Sequence, residues 1–156
     1  MTKTYTILGL IGWIALCFAV AAIAGRYIPG EWYAALNKPS WNPPGWIFGP
    51  VWAALYIMMG VAAWLVWKQH GFKGAGLALG LFLFQLVLNG FWTWIFFGLH
   101  RPAVAFAEIV ALWLAIVATI IVFWPKNIAA GILLIPYAAW VAFAALLNFN
   151  LWRLNR

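Results

Sequence analysis

The sequence predicts an all-α membrane protein, a five transmembrane helix bundle formed as a single domain over residues 1–156. Three observations predict this class: 68% of the residues are hydrophobic, only 7% are charged, and the mean hydropathy is +0.99. A soluble domain carries roughly 25% charged residues, so this chain could not cover a surface that faces water. Its apolar runs are continuous rather than alternating, which argues against a transmembrane β-barrel.

The apolar runs are long enough to cross a bilayer, since a core of about 30 Å needs about 20 helical residues. The predicted spans are approximately 5–25, 46–67, 75–99, 103–124 and 128–152. The first run lacks a convincing cleavage site and is interpreted as a retained span. Pro102 suits the first turn of the fourth helix, and Asn127 is a plausible N-cap for the fifth. The spans leave no room for a separate soluble domain.

The net charge of +7 comes from nine Lys and Arg against two acids, Glu31 and Glu108. Five spans place the termini on opposite sides of the membrane. The N-terminal side then holds four basic residues: Lys3, Lys68, Lys73 and Lys126. The other side holds five: Arg26, Lys38, Arg101, Arg153 and Arg156. This split leaves the orientation and the membrane of residence open. The basic residues form no stripe that could follow phosphates, which argues against nucleic-acid binding.

The segment 27–45 is the longest predicted loop, and it holds four prolines: Pro29, Pro39, Pro43 and Pro44. A flexible linker would be rich in Gly and Ser instead. This composition predicts a shaped, lid-like loop over one end of the bundle. Its side of the membrane carries five basic residues and one acid, Glu31, which favours ligands that bear carboxylates.

Three spans show stripes of aromatic, amide and small residues at helical spacing. The stripes are Trp52, Tyr56, Ala63 and Trp67 in the second span, Gln85, Asn89, Trp92 and Phe96 in the third, and Tyr137, Trp140, Ala144, Asn148 and Leu151 in the fifth. Amides in hydrocarbon need partners, so these stripes are expected to face inward. They describe either a polar core or a ligand cavity. The small Ala144 between aromatic residues favours a cavity.

Tryptophan is abundant, with 13 residues. Four of these lie at span ends and are predicted to form an interfacial belt at headgroup level: Trp46, Trp67, Trp124 and Trp152. Trp52, Trp92 and Trp140 lie deeper, where helix packing and a ligand-facing role remain equally open.

Other candidate residues are few. Glu108 is the only acid predicted within a span, either a structural acid or a proton relay. His70 and His100 are placed in interfacial loops away from the cavity, and Cys17 has no partner for a disulfide. No nucleophile set, acid–base pair or metal cluster indicates ordinary catalysis. Gly76 and Gly80 form a GxxxG pattern in the third span, which indicates a homodimer.

Taken together, several motifs resemble the TspO/MBR family, the tryptophan-rich sensory or translocator proteins, also called peripheral-type benzodiazepine receptors. The motifs are Trp32-Tyr33, Lys38-Pro39-Ser40-Trp41-Asn42-Pro43-Pro44, Trp52-x-x-Leu55-Tyr56, Asn89-x-x-Trp92, Phe96-Phe97-Gly98, Pro136-Tyr137-x-x-Trp140 and Leu147-Asn148. The resemblance implies five transmembrane helices, dimers, and binding of porphyrins and related tetrapyrroles or isoquinoline-type ligands between the helices under the first loop. The implied lining residues are Trp32, Tyr33, Trp41, Pro43, Trp52, Asn89, Trp92, Trp140, Ala144 and Leu147.

These expectations combine into a membrane receptor or carrier for a flat, hydrophobic ligand with carboxylates, most simply a porphyrin. The indoles would stack on the ring, Asn89 would offer a hydrogen bond, and Lys38 or Arg26 would meet the propionates. No obligatory cofactor, metal or catalytic residue is expected. Two alternatives stay open. One is a porphyrin-degrading enzyme that depends on light and oxygen, and the other is a proton-coupled exporter that depends on Glu108.

Overall fold

The computed structural model describes all 156 residues and consists of helices and loops, with no β-strand. Its α-helices are α1 (Lys3–Ala24), α2 (Glu31–Ala34), α3 (Phe48–Thr93), α4 (Pro102–Phe123) and α5 (Ile128–Leu154). A 3₁₀ turn, Gly45–Ile47, precedes α3, and a π-helical turn, Trp94–Gly98, follows it. The all-helical prediction is confirmed.

Four helices, α1, α3, α4 and α5, are long and apolar enough to cross a membrane. Their outer surfaces are also apolar. Leu8, Leu77, Leu114 and Ile121 are each more than half exposed. A continuous apolar surface of this extent suits lipid rather than water. The chain is therefore an integral, multi-pass membrane protein, as predicted.

Helix α3 folds back on itself. A straight helix of 46 residues would be about 69 Å long and would separate Tyr56 from Asn89 by about 50 Å. The Tyr56 hydroxyl instead donates a hydrogen bond to Asn89 Oδ1 at 2.6 Å. The reversal occurs at Gly71, with φ 65° and ψ −179°, and at Ala75, with φ −131° and ψ 23°. A positive φ favours glycine, which explains Gly71 at this turn.

We call residues 48–70 the first arm of α3 and residues 76–93 its second arm. The sequence predicted two separate helices here, 46–67 and 75–99. The structure confirms the break between them, because the non-helical residues Gly71 and Ala75 lie between the two arms. The last predicted turn of the third span is the π-helical turn rather than α-helix.

The remaining helix boundaries lie within two residues of the predicted ones. Pro102 is the first residue of α4, and the Asn127 side chain caps α5 by accepting a hydrogen bond from Ala130 N at 3.0 Å. Both sequence signals are confirmed. The predicted loop 27–45 differs in one respect, since it contains the single-turn helix α2.

The bundle is organised around α3. Helix α1 packs along it, and α4 and α5 pack against each other and against α3. Gly60 sits at the closest approach of α1 and α3, where an added Cβ would lie 2.8 Å from Ile14 Cα. A side chain at this position would therefore push two backbones apart.

Trp67 differs from its predicted place in the interfacial belt. It is only 6% exposed and packs against Tyr5, Phe72 and the backbone of Gly9. Gly9 leaves room for the indole ring, so Trp67 belongs to the packed core between α1 and α3. Trp46 and Trp124 are 75% and 41% exposed, as a belt requires.

Candidate functional site

The candidate site lies at the end of the bundle that carries the loop, where α1, α3 and α5 end and α4 begins. The loop is fastened to this end through Asn37. The Asn155 side chain accepts a hydrogen bond from Asn37 N at 2.8 Å and donates one to Asn37 O at 2.9 Å. At the start of the loop, the Tyr27 ring packs against Gly98. The loop therefore has defined contacts with both α5 and the π-helical turn.

Trp32 and Tyr33 lie on α2, where both face aromatic residues of the π-helical turn. The Trp32 ring contacts Phe96 at 5.6 Å between centroids, and Tyr33 contacts Phe97 at 5.4 Å. Both rings pack on a small hydrophobic cluster that includes Leu147. The structure thus gathers Trp32, Tyr33 and Leu147 around one hydrophobic cluster.

His100 was not expected near the candidate site, yet its ring stacks on Trp32 at 4.3 Å with an interplanar angle of 6°. His100 therefore contacts one of the ten residues that the resemblance implies. The residue adopts φ 54°, which is uncommon for a non-glycine residue. No sequence signal indicated this contact, because the stack depends on the position of α2 within the loop.

Trp41 lies in the Pro-rich part of the loop and is 42% exposed. Its ring packs edge-on against Phe143 at 5.7 Å, and Phe143 in turn contacts Trp140 at 5.4 Å. Trp140 also contacts Phe48 at 5.8 Å. An aromatic chain thus runs from the loop into the bundle. Pro43, two residues beyond Trp41, is partly buried.

The sequence analysis did not predict that Phe48 and Phe143 belong to this aromatic chain. Phe143 lies three residues after Trp140, and helical spacing could have placed it on the neighbouring position of the same face. For Phe48, at the start of α3, the sequence held no comparable signal.

Below these rings lies a buried chain of polar side chains. The Tyr56 hydroxyl donates to Asn89 Oδ1 at 2.6 Å, Asn89 Nδ2 donates to the Tyr137 hydroxyl at 2.9 Å, and that hydroxyl donates to Gln85 Oε1 at 2.7 Å. Trp52 packs against Tyr56 and Tyr137 at 5.6 and 6.3 Å. Buried polar groups need such partners. The predicted inward stripes therefore do face one another.

The polar chain changes the expected role of Asn89. Its carbonyl oxygen and one of its amide hydrogens are already used within the protein. The second amide hydrogen and the second lone pair of the carbonyl oxygen remain for a ligand. Gln85 Nε2 is buried and has no hydrogen-bond partner.

Trp92 and Trp140 differ in their hydrogen bonding. The Trp92 indole donates to Asn148 Oδ1 at 2.9 Å, and Asn148 Nδ2 donates to Pro102 O at 2.8 Å. Trp92 thus joins α3, α5 and the start of α4. The Trp140 Nε1 atom is buried and has no partner. Ala144 lies one turn further along α5 and is partly buried against the core.

The other candidate residues lie outside this set. His70 Nε2 is 2.9 Å from Lys126 O at the opposite end of the bundle, and Cys17 is buried as a free thiol. Both carboxylate oxygens of Glu108, on α4, are buried without a partner. No group of three or more His, Cys, Asp or Glu side chains could hold a metal ion.

The fold and site define a multi-pass helical membrane protein with aromatic residues gathered beneath a fastened loop. The model of the TspO/MBR family matches residues 13–153, and the chain belongs to this family. It is 42% identical to the tryptophan-rich sensory protein of Cereibacter sphaeroides, over 91% of this chain and 88% of the relative. It is also 42% identical to the tryptophan-rich protein TspO of Chlorobaculum tepidum, over 91% and 92%, and to the human translocator protein, over 85% and 82%.

Proposed function

We propose that the protein is a membrane receptor or carrier that binds porphyrins and related tetrapyrroles, and isoquinoline-type hydrophobic ligands, beneath the loop. The names of its relatives, tryptophan-rich sensory protein and translocator protein, support a role in sensing or moving such a ligand. The proposed lining is the set of ten residues predicted from the sequence. Eight of them lie in the aromatic or hydrophobic clusters or in the hydrogen-bonded chains described above. Ala144 is partly buried against the core, and Pro43 is partly buried in the loop.

The unpartnered Trp140 Nε1 is the observation that carries this proposal. The Trp92 indole, by comparison, donates a hydrogen bond to Asn148, whereas the buried Trp140 Nε1 has no acceptor. A buried donor without a partner costs free energy, about 1–3 kcal/mol. A ligand acceptor beside Ala144 would remove this cost. Indole faces would supply the apolar burial of a flat ring.

The charges at the loop end suit a ligand with carboxylates, and the structure favours Arg26 over Lys38 for this contact. The Lys38 ammonium already donates to Ala34 O at 3.3 Å and to Leu36 O at 3.1 Å, and it lies over the Tyr33 ring. Arg26 is exposed and precedes Tyr27, which contacts the π-helical turn. A guanidinium can also bind a carboxylate through two hydrogen bonds.

Quenching of tryptophan fluorescence by protoporphyrin IX tests the proposal. We expect saturable quenching by the purified protein and weaker binding by Trp140→Phe. Trp124→Phe is the matched control, because Trp124 is an exposed indole at the opposite end of the bundle. Linear quenching, or equal affinity for both variants and the unchanged protein, would contradict the proposed site.

The proposed topology has five membrane crossings, with each arm of α3 crossing once. The hydrogen bond from Tyr56 to Asn89 supports this arrangement, because it requires antiparallel arms. The test labels single cysteines, Lys3→Cys and Arg156→Cys, in a Cys17→Ser background with an impermeant reagent. We expect labelling from opposite sides of sealed vesicles. Labelling from the same side would contradict five crossings.

A further inference from the structure

The end of the bundle opposite the loop carries positive charge only. Four lysines lie there, on the first turn of α1, at the turn of α3 and beyond α4: Lys3, Lys68, Lys73 and Lys126. The two acids of the chain are elsewhere, Glu31 in α2 and Glu108 within α4. The candidate porphyrin site does not use this end.

A groove of about 520 Å³ lies at this end, between the turn of α3 and the end of α4. Lys73 and Lys126 both line it. The Lys126 ammonium donates to Gly74 O at 2.8 Å and so connects the end of α4 to the turn of α3. Its other two hydrogens remain for a ligand. Lys73 is exposed. Two lysines thus line one groove.

The rest of the groove carries no charged side chain: it is lined by five hydrophobic residues together with Gly74, Gly76 and Pro125. Ala75 and Ala78 are buried in its wall, whereas Leu77 and Ile121 are 75% and 65% exposed along its side. Both exposed residues belong to spanning helices, so they face the acyl chains of the bilayer. The groove therefore combines a cationic rim with an apolar wall that continues into the membrane.

We propose that this groove binds one anionic phospholipid, with its phosphate between Lys73 and Lys126 and an acyl chain along Leu77 and Ile121. Basic pockets between transmembrane helices recognise anionic headgroups, and attraction near the surface is worth about five-fold in affinity per lysine. A soluble anion would gain nothing from the apolar wall. A zwitterionic lipid would gain less from two lysines with no acid nearby.

The other two lysines at this end provide a matched control. The Lys68 ammonium lies over the Trp64 ring at 4.5 Å, and Lys3 lies in the first turn of α1. Neither lines the groove. Replacing Lys3 and Lys68 removes the same charge from the same end of the molecule without changing the proposed site.

The test is native mass spectrometry of the full chain, titrated with phosphatidylglycerol or phosphatidylcholine. We expect one tightly bound phosphatidylglycerol and no comparable phosphatidylcholine. Lys73→Gln should weaken phosphatidylglycerol binding about five-fold and Lys73→Gln with Lys126→Gln about 25-fold. Lys3→Gln with Lys68→Gln should bind as the unchanged protein does. Because Lys126→Gln also loses its hydrogen bond to Gly74, Lys126→Arg serves as the second variant and should retain binding.

Three outcomes would overturn the proposal. Equal weakening by both double variants would indicate attraction to the whole end rather than to the groove. Equal binding of phosphatidylcholine would remove the role of headgroup charge. Displacement of the lipid by millimolar inorganic phosphate would indicate an anion site in which the acyl chain takes no part.

Discussion

Asn155 holds Asn37 by two hydrogen bonds, although the two residues are 118 positions apart in the chain. Asn155 lies directly after α5 and also donates to Leu151 O at 2.7 Å, so its side chain is fixed from both sides. The pair fastens the middle of the loop to the helix that carries Trp140 and Ala144. Loop position and candidate site are therefore linked through one asparagine.

Asn155→Ala is expected to loosen the loop without unfolding the bundle. Each lost hydrogen bond contributes roughly 1 kcal/mol, so amide exchange in the loop should quicken by up to about 30-fold. Hydrogen-exchange mass spectrometry of residues 35–45 measures this effect. Asn150→Ala is the control, because Asn150 bonds only within α5, to Leu146 O and Arg153. Equal exchange in the two variants would show that the pair does not hold the loop.

Tyr137→Phe is expected to destabilise the bundle. The Tyr137 hydroxyl is fully buried and bonds both Asn89 and Gln85, and its removal leaves both amides without this partner. An unsatisfied buried polar group costs about 1–3 kcal/mol, so the Tm in detergent should fall by several degrees. Tyr5→Phe removes a hydroxyl from a residue that is 54% exposed and should leave the Tm unchanged. Similar melting of both variants would contradict a stabilising role for the polar chain.

Gly60→Ala is expected to separate α1 from α3. The new Cβ would meet backbone atoms of Ile14, which cannot move without shifting α1. Overpacking of this kind costs about 1–3 kcal/mol and should lower the Tm. Gly12→Ala, also at a helix position, adds a methyl group where nothing lies within 4 Å. A Tm for Gly60→Ala that matches Gly12→Ala would show that the close approach is not needed.

The helices could be predicted because continuous apolar runs, Pro102 and Asn127 are local signals, and a bilayer fixes the length of a span. The place at which α3 reverses was predicted as well. The sequence indicated a break between residues 67 and 75, and the non-helical φ and ψ of Gly71 and Ala75 lie within it. The amide and aromatic stripes correctly predicted inward faces, because an amide in hydrocarbon needs a partner.

Contacts made across the bundle could not be predicted. Trp67 lies at the end of a predicted span, as a belt residue does. It is buried in the core because Gly9, on α1, has no side chain to occupy the space of the indole ring. The stack of His100 on Trp32 depends on where α2 lies within the loop. Such pairs join residues 58 or more positions apart, and no local pattern in the sequence relates them.

The predicted homodimer through Gly76 and Gly80 leads to a further test. Both glycines face open space on the second arm of α3, where an added Cβ would meet nothing within 4 Å. Helix pairs in membranes approach closely at such positions. Gly80→Leu should therefore reduce the yield of cross-linked dimer without lowering the Tm of the monomer. Gly12→Leu, on the open face of α1, should leave dimer formation unchanged. Equal dimer yields for the two variants would contradict an interface at Gly80.

Glu108→Leu is expected to stabilise the protein and to leave porphyrin binding unchanged. Both carboxylate oxygens of Glu108 are buried without a hydrogen-bond partner, and a leucine removes that cost of about 1–3 kcal/mol. The Tm in detergent should rise by several degrees, whereas Ala107→Leu, at an exposed neighbouring position, should not change it. Glu108 makes no hydrogen bond to the ten proposed lining residues, and quenching by protoporphyrin IX should be retained. A lower Tm would instead reveal a partner for the carboxyl group in the membrane. Loss of pH-driven porphyrin export by Glu108→Gln in sealed vesicles would then favour the proton-coupled exporter over the receptor.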